Sequence, residues 1–234
     1  MMKSALIFAS FALLVGCGSM PDYTPYTSHP PQSSMTASRS GAPARMPHYI
    51  TQTSPNTSQT TPISGRGHNL NQSPLLTDRV TYSQKDPRWG GDTLGRNGGS
   101  LAREGCVLTS AAMAMTNSGY PIDPGELNRR LTASDNLTSS GLLKWKGIAD
   151  VSGGAVKATF YDTVSEPLIQ SCLVKGDYPL VRFYLPNGRS HWAMILGRTD
   201  QGYHMRDPLR ASNSPLIFPR DSSAFKSLRC IGRS

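Results

Sequence analysis

The sequence predicts an α+β domain whose helical first half packs on an antiparallel sheet. Three observations carry this. Residues 105–117 (GCVLTSAAMAMTN) form an Ala- and Met-rich run. Residues 123–126 (DPGE) have the form of a helix start. After Tyr178 the apolar residues gather into short runs separated by Asn187-Gly188 and by residues 200–202.

Each element has its own reason. The 105–117 run suits a buried helix, and Gly119 supplies its C-terminal stop. In the next helix Asp123 takes the N-cap, Pro124 the first helical position and Glu126 the third, with Leu127 and Leu131 on one face. Shorter helices are predicted over 139–146 and 167–173. Strands are predicted over 180–185 and 192–196, joined by the Asn187-Gly188 hairpin signal, and then over 203–206. A last short helix over 222–229 is expected to pack back on the sheet.

The chain ahead of this domain differs in kind. Residues 18–76 are dominated by Ser, Thr, Pro, Asn and Gln, and such a stretch buries too little apolar surface to offset the entropy of ordering it. It reads as a flexible spacer. From Leu75 onward the chain holds all three Trp and most aliphatic side chains, enough for one sizeable core.

At the start, Lys3 precedes an apolar run from Ala5 to Val15, far shorter than the ~20 residues a membrane-spanning helix needs. That is the pattern of a signal peptide. Leu14, Val15 and Gly16 before Cys17 resemble the bacterial lipobox. The resemblance implies acylation of the Cys17 thiol, cleavage before it, and a mature lipoprotein held to the cell envelope. Gly18 stands where an inner-membrane retention signal would place Asp, which favours the periplasmic face of the outer membrane. The expected organisation is thus a signal peptide over 1–16, a lipid-anchored spacer over 17–76 and one domain over 77–234, acting as a monomer.

The 234 residues carry a formal charge of +9. A basic surface suits anionic lipid or acidic glycans. Without an interleaved stripe of aromatic and basic residues, it argues against nucleic acid.

Cys106 follows Gly105 at the start of the apolar helix. Unpaired backbone N–H groups and the helix dipole stabilise a thiolate there, although the same setting suits a cysteine buried as a small hydrophobe. His191 precedes the apolar run WAMIL at the edge of the hairpin. An imidazole so placed can hold and return a thiol proton if a third polar group orients it, and Asp207 on the next strand suits that role. His204 competes with His191, but it lies three residues from Asp207 on one strand, where side-by-side pairing is awkward. It is expected to be a strand or surface histidine.

Taken together, YSQKDPRWGGDTLG, LAREGCVLTSAAMAM and GRSHWAMILGRTDQGYHMRDP resemble the C39-like group of papain-fold cysteine peptidases, from Tyr82 to Asp207. The resemblance implies a papain-like fold and makes Cys106 the nucleophile, His191 the general base, Asp207 its orienting partner and Gln84 an oxyanion-hole donor. Asp86 and Trp89 are expected to wall the site beside Gln84. Trp192 is expected on or near the site, with a pure core role equally open. The ATP-dependent transporters of that group trim leader peptides after paired glycines, and this specificity is not carried over to a tethered envelope domain.

With Cys106 as nucleophile, Cys172 and Cys230 are the disulfide candidates in an oxidising compartment, worth ~4 kcal/mol in the chain-entropy view. No Cys-x-x-Cys or His-Glu-x-x-His spacing occurs, so neither metal nor cofactor is expected. The leading expectation is an envelope-facing thiol hydrolase of peptide amide bonds, acting on a peptide or protein substrate. The alternatives are a peptidoglycan amidase or endopeptidase, and a non-enzymatic tethered binding module on the same scaffold.

Overall fold

The computed structural model describes residue 73 and residues 75–234. The expected signal peptide, Cys17 and most of the expected spacer lie outside the described residues.

The helices form where composition and capping favour them. A single turn, α1 (Leu101–Glu104), meets α2 (Cys106–Asn117) at Gly105. A Cβ at Gly105 would run into the Leu101 carbonyl and side chain, so only glycine lets the chain turn so tightly. All of α2 except Val107 is buried. In α3 (Pro124–Ala133) the Asp123 carboxylate accepts from the Glu126 N–H at 2.8 Å, satisfying one of the orphan donors of the first turn.

No helix forms over 139–146. Thr138 N–H donates to the Leu142 carbonyl at 2.8 Å, Leu137 bridges Leu143, and Gly141 sits at φ +82°. A left-handed residue there closes a tight loop instead of a helical turn. The helix begins only where the predicted one was to end, as α4 (Gly147–Ser152). The predicted 167–173 helix appears as α5 (Glu166–Lys175), ended by Gly176 at φ +80°.

The sheet has six antiparallel strands in the order β1-β6-β2-β3-β4-β5. They are β1 (Val156–Tyr161), β2 (Tyr178–Tyr184), β3 (Ser190–Thr199), β4 (Gly202–Arg206), β5 (Leu216–Phe218) and β6 (Ser227–Arg233). Gly188 at φ +79° and Gly202 at φ +127° serve the turns on either side of β3.

The last segment corrects its sequence reading. It is a 3₁₀ turn (Ser222–Ala224) followed by β6, inserted between β1 and β2. There Leu228 and Cys230 point to one face and Arg229 and Ile231 to the other, a period of two that no helix uses.

Helix α2 covers one face of the sheet and α5 the other, so β3 is buried on both sides and reads as a nearly continuous apolar run. The predicted disulfide is present. Cys172 of α5 is bonded to Cys230 of β6, with Cα atoms 6.1 Å apart. The described fold also starts slightly before residue 77. Ser73 pairs with Arg198, and Leu76 N–H donates to the Leu196 carbonyl at 2.7 Å.

Candidate active site

Helix α2 runs along β3. Ser110, one turn into α2, donates its hydroxyl to the Trp192 carbonyl at 3.5 Å. At the far end of α2 the Ser118 carbonyl accepts from Arg233 Nε at 2.8 Å, at the end of β6 that pairs beyond the start of β2. Cys106 therefore stands at the end of the sheet where His191 opens β3, in the first turn of α2 and fully buried. Its sulfur is in the disulfide-bonded form in this structure, so thiol chemistry at this position belongs to the reduced chain.

His191 is completely buried and pairs across the strands with Phe183, whose ring meets the imidazole edge-on at 5.4 Å. Its Nε2 lies 2.7 Å from Asp207 Oδ1. The same carboxylate oxygen accepts from the Leu209 N–H at 2.9 Å. Burial alone would raise the Asp207 pKa. The charge of His191 and its hydrogen bond, together with the Leu209 N–H, outweigh that and hold the carboxyl below its usual range.

Asp207 is the first residue past β4, and the loop it opens is clamped. Arg206 reaches Asp78 with both Nε (2.9 Å) and Nη2 (2.5 Å), and donates to the carbonyls of Ser212 and Asn213.

Gln84 is fully buried. Its Nε2 donates to the Ala102 carbonyl at 2.8 Å, which fixes the orientation of the amide, since only the NH₂ side can donate. Its Oε1 has no hydrogen-bond partner among the described residues. The Gln84 backbone N–H donates to the Pro208 carbonyl, next to Asp207.

A groove of about 260 Å³ opens beside Cys106, lined chiefly by Val107, Leu143, Trp145, Arg182 and Trp192. Trp192 thus faces the groove as well as the core, its ring 5.7 Å from that of Trp145. Asp86 and Trp89 do not line this groove. Asp86 is ion-paired to Arg88, and Trp89 donates Nε1–H to the Ser83 carbonyl at 2.8 Å, so both fold the turn that carries Gln84. His204 is apart from this group, its Nε2 3.1 Å from Thr199 Oγ1.

Sequence reasoning missed the groove residues Glu104, Leu142, Trp145 and Arg182. Glu104 stands in the motif around Cys106 but carries no role there, Leu142 and Trp145 fall in the predicted 139–146 helix that does not form, and Arg182 lies on a strand outside any motif. Among the described residues no cluster of His, Cys, Asp and Glu could hold a metal ion.

No family model matches the chain, and no curated protein matches it. Among solved structures it is similar to a Bacillus anthracis protein provisionally assigned as a C39-like peptidase. The two share 13% identity at a TM-score of 0.45, over 68% of this chain and 98% of that one.

Proposed function

We propose that this chain is an envelope-facing thiol hydrolase that cleaves peptide amide bonds. The observation that carries the reading is the buried His191 Nε2–Asp207 Oδ1 contact of 2.7 Å, at the end of β3 toward which α2 directs Cys106. With Nε2 committed to Asp207, the opposite ring nitrogen Nδ1 is the one that exchanges a proton with a thiol.

In the reduced chain the Cys106 thiolate attacks the carbonyl carbon of the substrate amide. The developing oxyanion takes a hydrogen bond from the Cys106 N–H and from the second proton of Gln84 Nε2, one such donor being worth ~3 kcal/mol in comparable holes. The imidazolium of His191 then gives its proton to the leaving nitrogen, and the neutral ring activates water to release the acyl group. Asp207 fixes the tautomer throughout. A mature chain acylated at Cys17 would hold this domain at the periplasmic side of the outer membrane.

The test is iodoacetamide alkylation of the reduced full-length chain against pH, with Cys106 followed by mass spectrometry. Fast alkylation at pH 6 that is lost in His191→Ala supports a thiolate–imidazolium pair. Peptide hydrolysis should vanish in Cys106→Ala. Alkylation that appears only near pH ~8.5, with hydrolysis undiminished in Cys106→Ala, would sink the reading. The anchor is tested separately, by metabolic incorporation of an alkyne fatty acid that Cys17→Ser abolishes.

A further inference from the structure

The strand registers align an unusual set of side chains on the sheet face turned toward α2. Trp192, Arg182 and Ser227 form one cross-strand row, and Met194, Leu180, Arg229 and Phe160 form the next. Trp145 lies over both rows, its ring centroid 5.7 Å from Trp192 and 6.3 Å from Phe160. A ladder of aromatic rings therefore leads from the groove beside Cys106 to Phe160, which is half exposed. Arg229 stacks on the outer part of this ladder, 4.5 Å from Phe160 and 5.8 Å from Trp145.

Arg182 lines the groove itself. Its Nε donates to Ser227 Oγ at 3.1 Å, and its terminal nitrogens make no hydrogen bond among the described residues. Neither Arg182 nor Arg229 has a carboxylate ion-pair partner among the described residues. The acidic side chain that does line the groove, Glu104, accepts from the Gly99 N–H at 3.1 Å and forms no ion pair with Arg182.

Arg229 donates Nη1 to the Tyr161 and Leu228 carbonyls, but two neighbouring guanidiniums without an ion-pair partner remain costly to hold on a partly buried wall. Burial lowers the Arg229 pKa, Asp162 opposes that, and the positive charge of Arg182 adds to the lowering. A bound anion removes this cost, and a planar guanidinium with its terminal N–H groups unused is suited to grip a carboxylate.

We propose that the groove beside Cys106 selects substrates carrying a carboxylate, gripped by Arg182 with Arg229 behind it, while Trp145 and Trp192 hold the adjoining apolar part. This deepens the hydrolase reading and rests on it for the identity of the groove. The carboxylate comes either from an acidic side chain or from a free peptide C-terminus.

Binding by full-length Cys106→Ala chain separates recognition from chemistry. Two pairs of fluorescent leucine-containing octapeptides serve as probes in fluorescence anisotropy at low salt. One pair is amidated and differs only as Glu against Gln; the other is neutral and differs only as free acid against C-terminal amide. The expected result is at least tenfold tighter binding of the carboxylate member in one pair, and that pair identifies the source. Arg182→Gln should abolish the preference and Arg182→Lys should keep part of it, with folding verified by circular dichroism and by an intact Cys172–Cys230 bond.

Equal affinities within both pairs, no binding of any probe, or a preference that survives Arg182→Gln would overturn the inference. Cys106-dependent hydrolysis of peptides by the unsubstituted chain without carboxylate preference would remove this inference and leave the hydrolase. A carboxylate preference without any hydrolysis would do the reverse.

Discussion

The backbone N–H of Gln84 donates to the carbonyl of Pro208 at 2.8 Å, tying the turn of the candidate oxyanion-hole donor to the loop of the candidate orienting aspartate. Residues far apart in the chain thus hold each other's position directly. Because the Gln84 side chain is also anchored, through Nε2 to the Ala102 carbonyl, its placement is over-determined. Gln84→Ala should therefore lower kcat by 10²–10³ while leaving KM nearly constant, as expected for a donor used mainly in the transition state. Steady-state hydrolysis by the reduced chain checks it.

The Asp78–Arg206 pair is buried on the Arg side, with 7% of that side chain exposed. Asp78→Ala leaves a guanidinium without its counter-charge and should cost ~3 kcal/mol of stability, with Asp78→Asn losing less. Since Arg206 also holds the Ser212 and Asn213 carbonyls, amide exchange across residues 207–213 should accelerate in the same variant. Urea denaturation and hydrogen-exchange mass spectrometry measure the two effects.

Acid should expose the His191–Asp207 contact. The Asp207 carboxyl is held below its ordinary range in the fold, so its contribution is fully present above the unfolded value of ~3.9 and fades as pH falls through the folded value. Asp207→Asn should be less stable by about 2 kcal/mol above pH 5, in line with hydrogen bonds to charged groups. The two stability curves should converge below pH ~4. A constant offset down to pH 2 would contradict the assignment.

His191 and His204 should part company under substitution. His191→Ala should reduce hydrolysis by 10²–10⁴. His204, whose ring meets Thr199 Oγ1 on the neighbouring strand and stands apart from the candidate site, should tolerate Ala within a factor of about two in rate, substitutions away from buried networks being nearly neutral. Equal losses in both variants would break the distinction.

The Cys172–Cys230 bond joins residues 58 apart in sequence and is fully buried. Replacing both by Ala should lower stability by ~4 kcal/mol in the chain-entropy view.

Local features follow from short stretches of the amino-acid sequence. Helix α2 follows from the Ala- and Met-rich composition of 106–117, α3 from the Asp123 cap, and the β2–β3 turn from Asn187-Gly188, because each depends on residues within a few positions of one another. The order of Gln84, Cys106, His191 and Asp207 was legible for the same reason, each in its own short context.

The tertiary structure decided what long-range pairing sets. Residues 227–233 became an interior strand because β1 and β2 supply partners on both sides, and no local signal announces such partners. It also decided that Trp145 and Arg182 share a wall with Cys106, and that Asp78 neutralises Arg206. Strand register and the packing of α2 on the sheet bring these side chains together, and both are fixed by the burial of a common core.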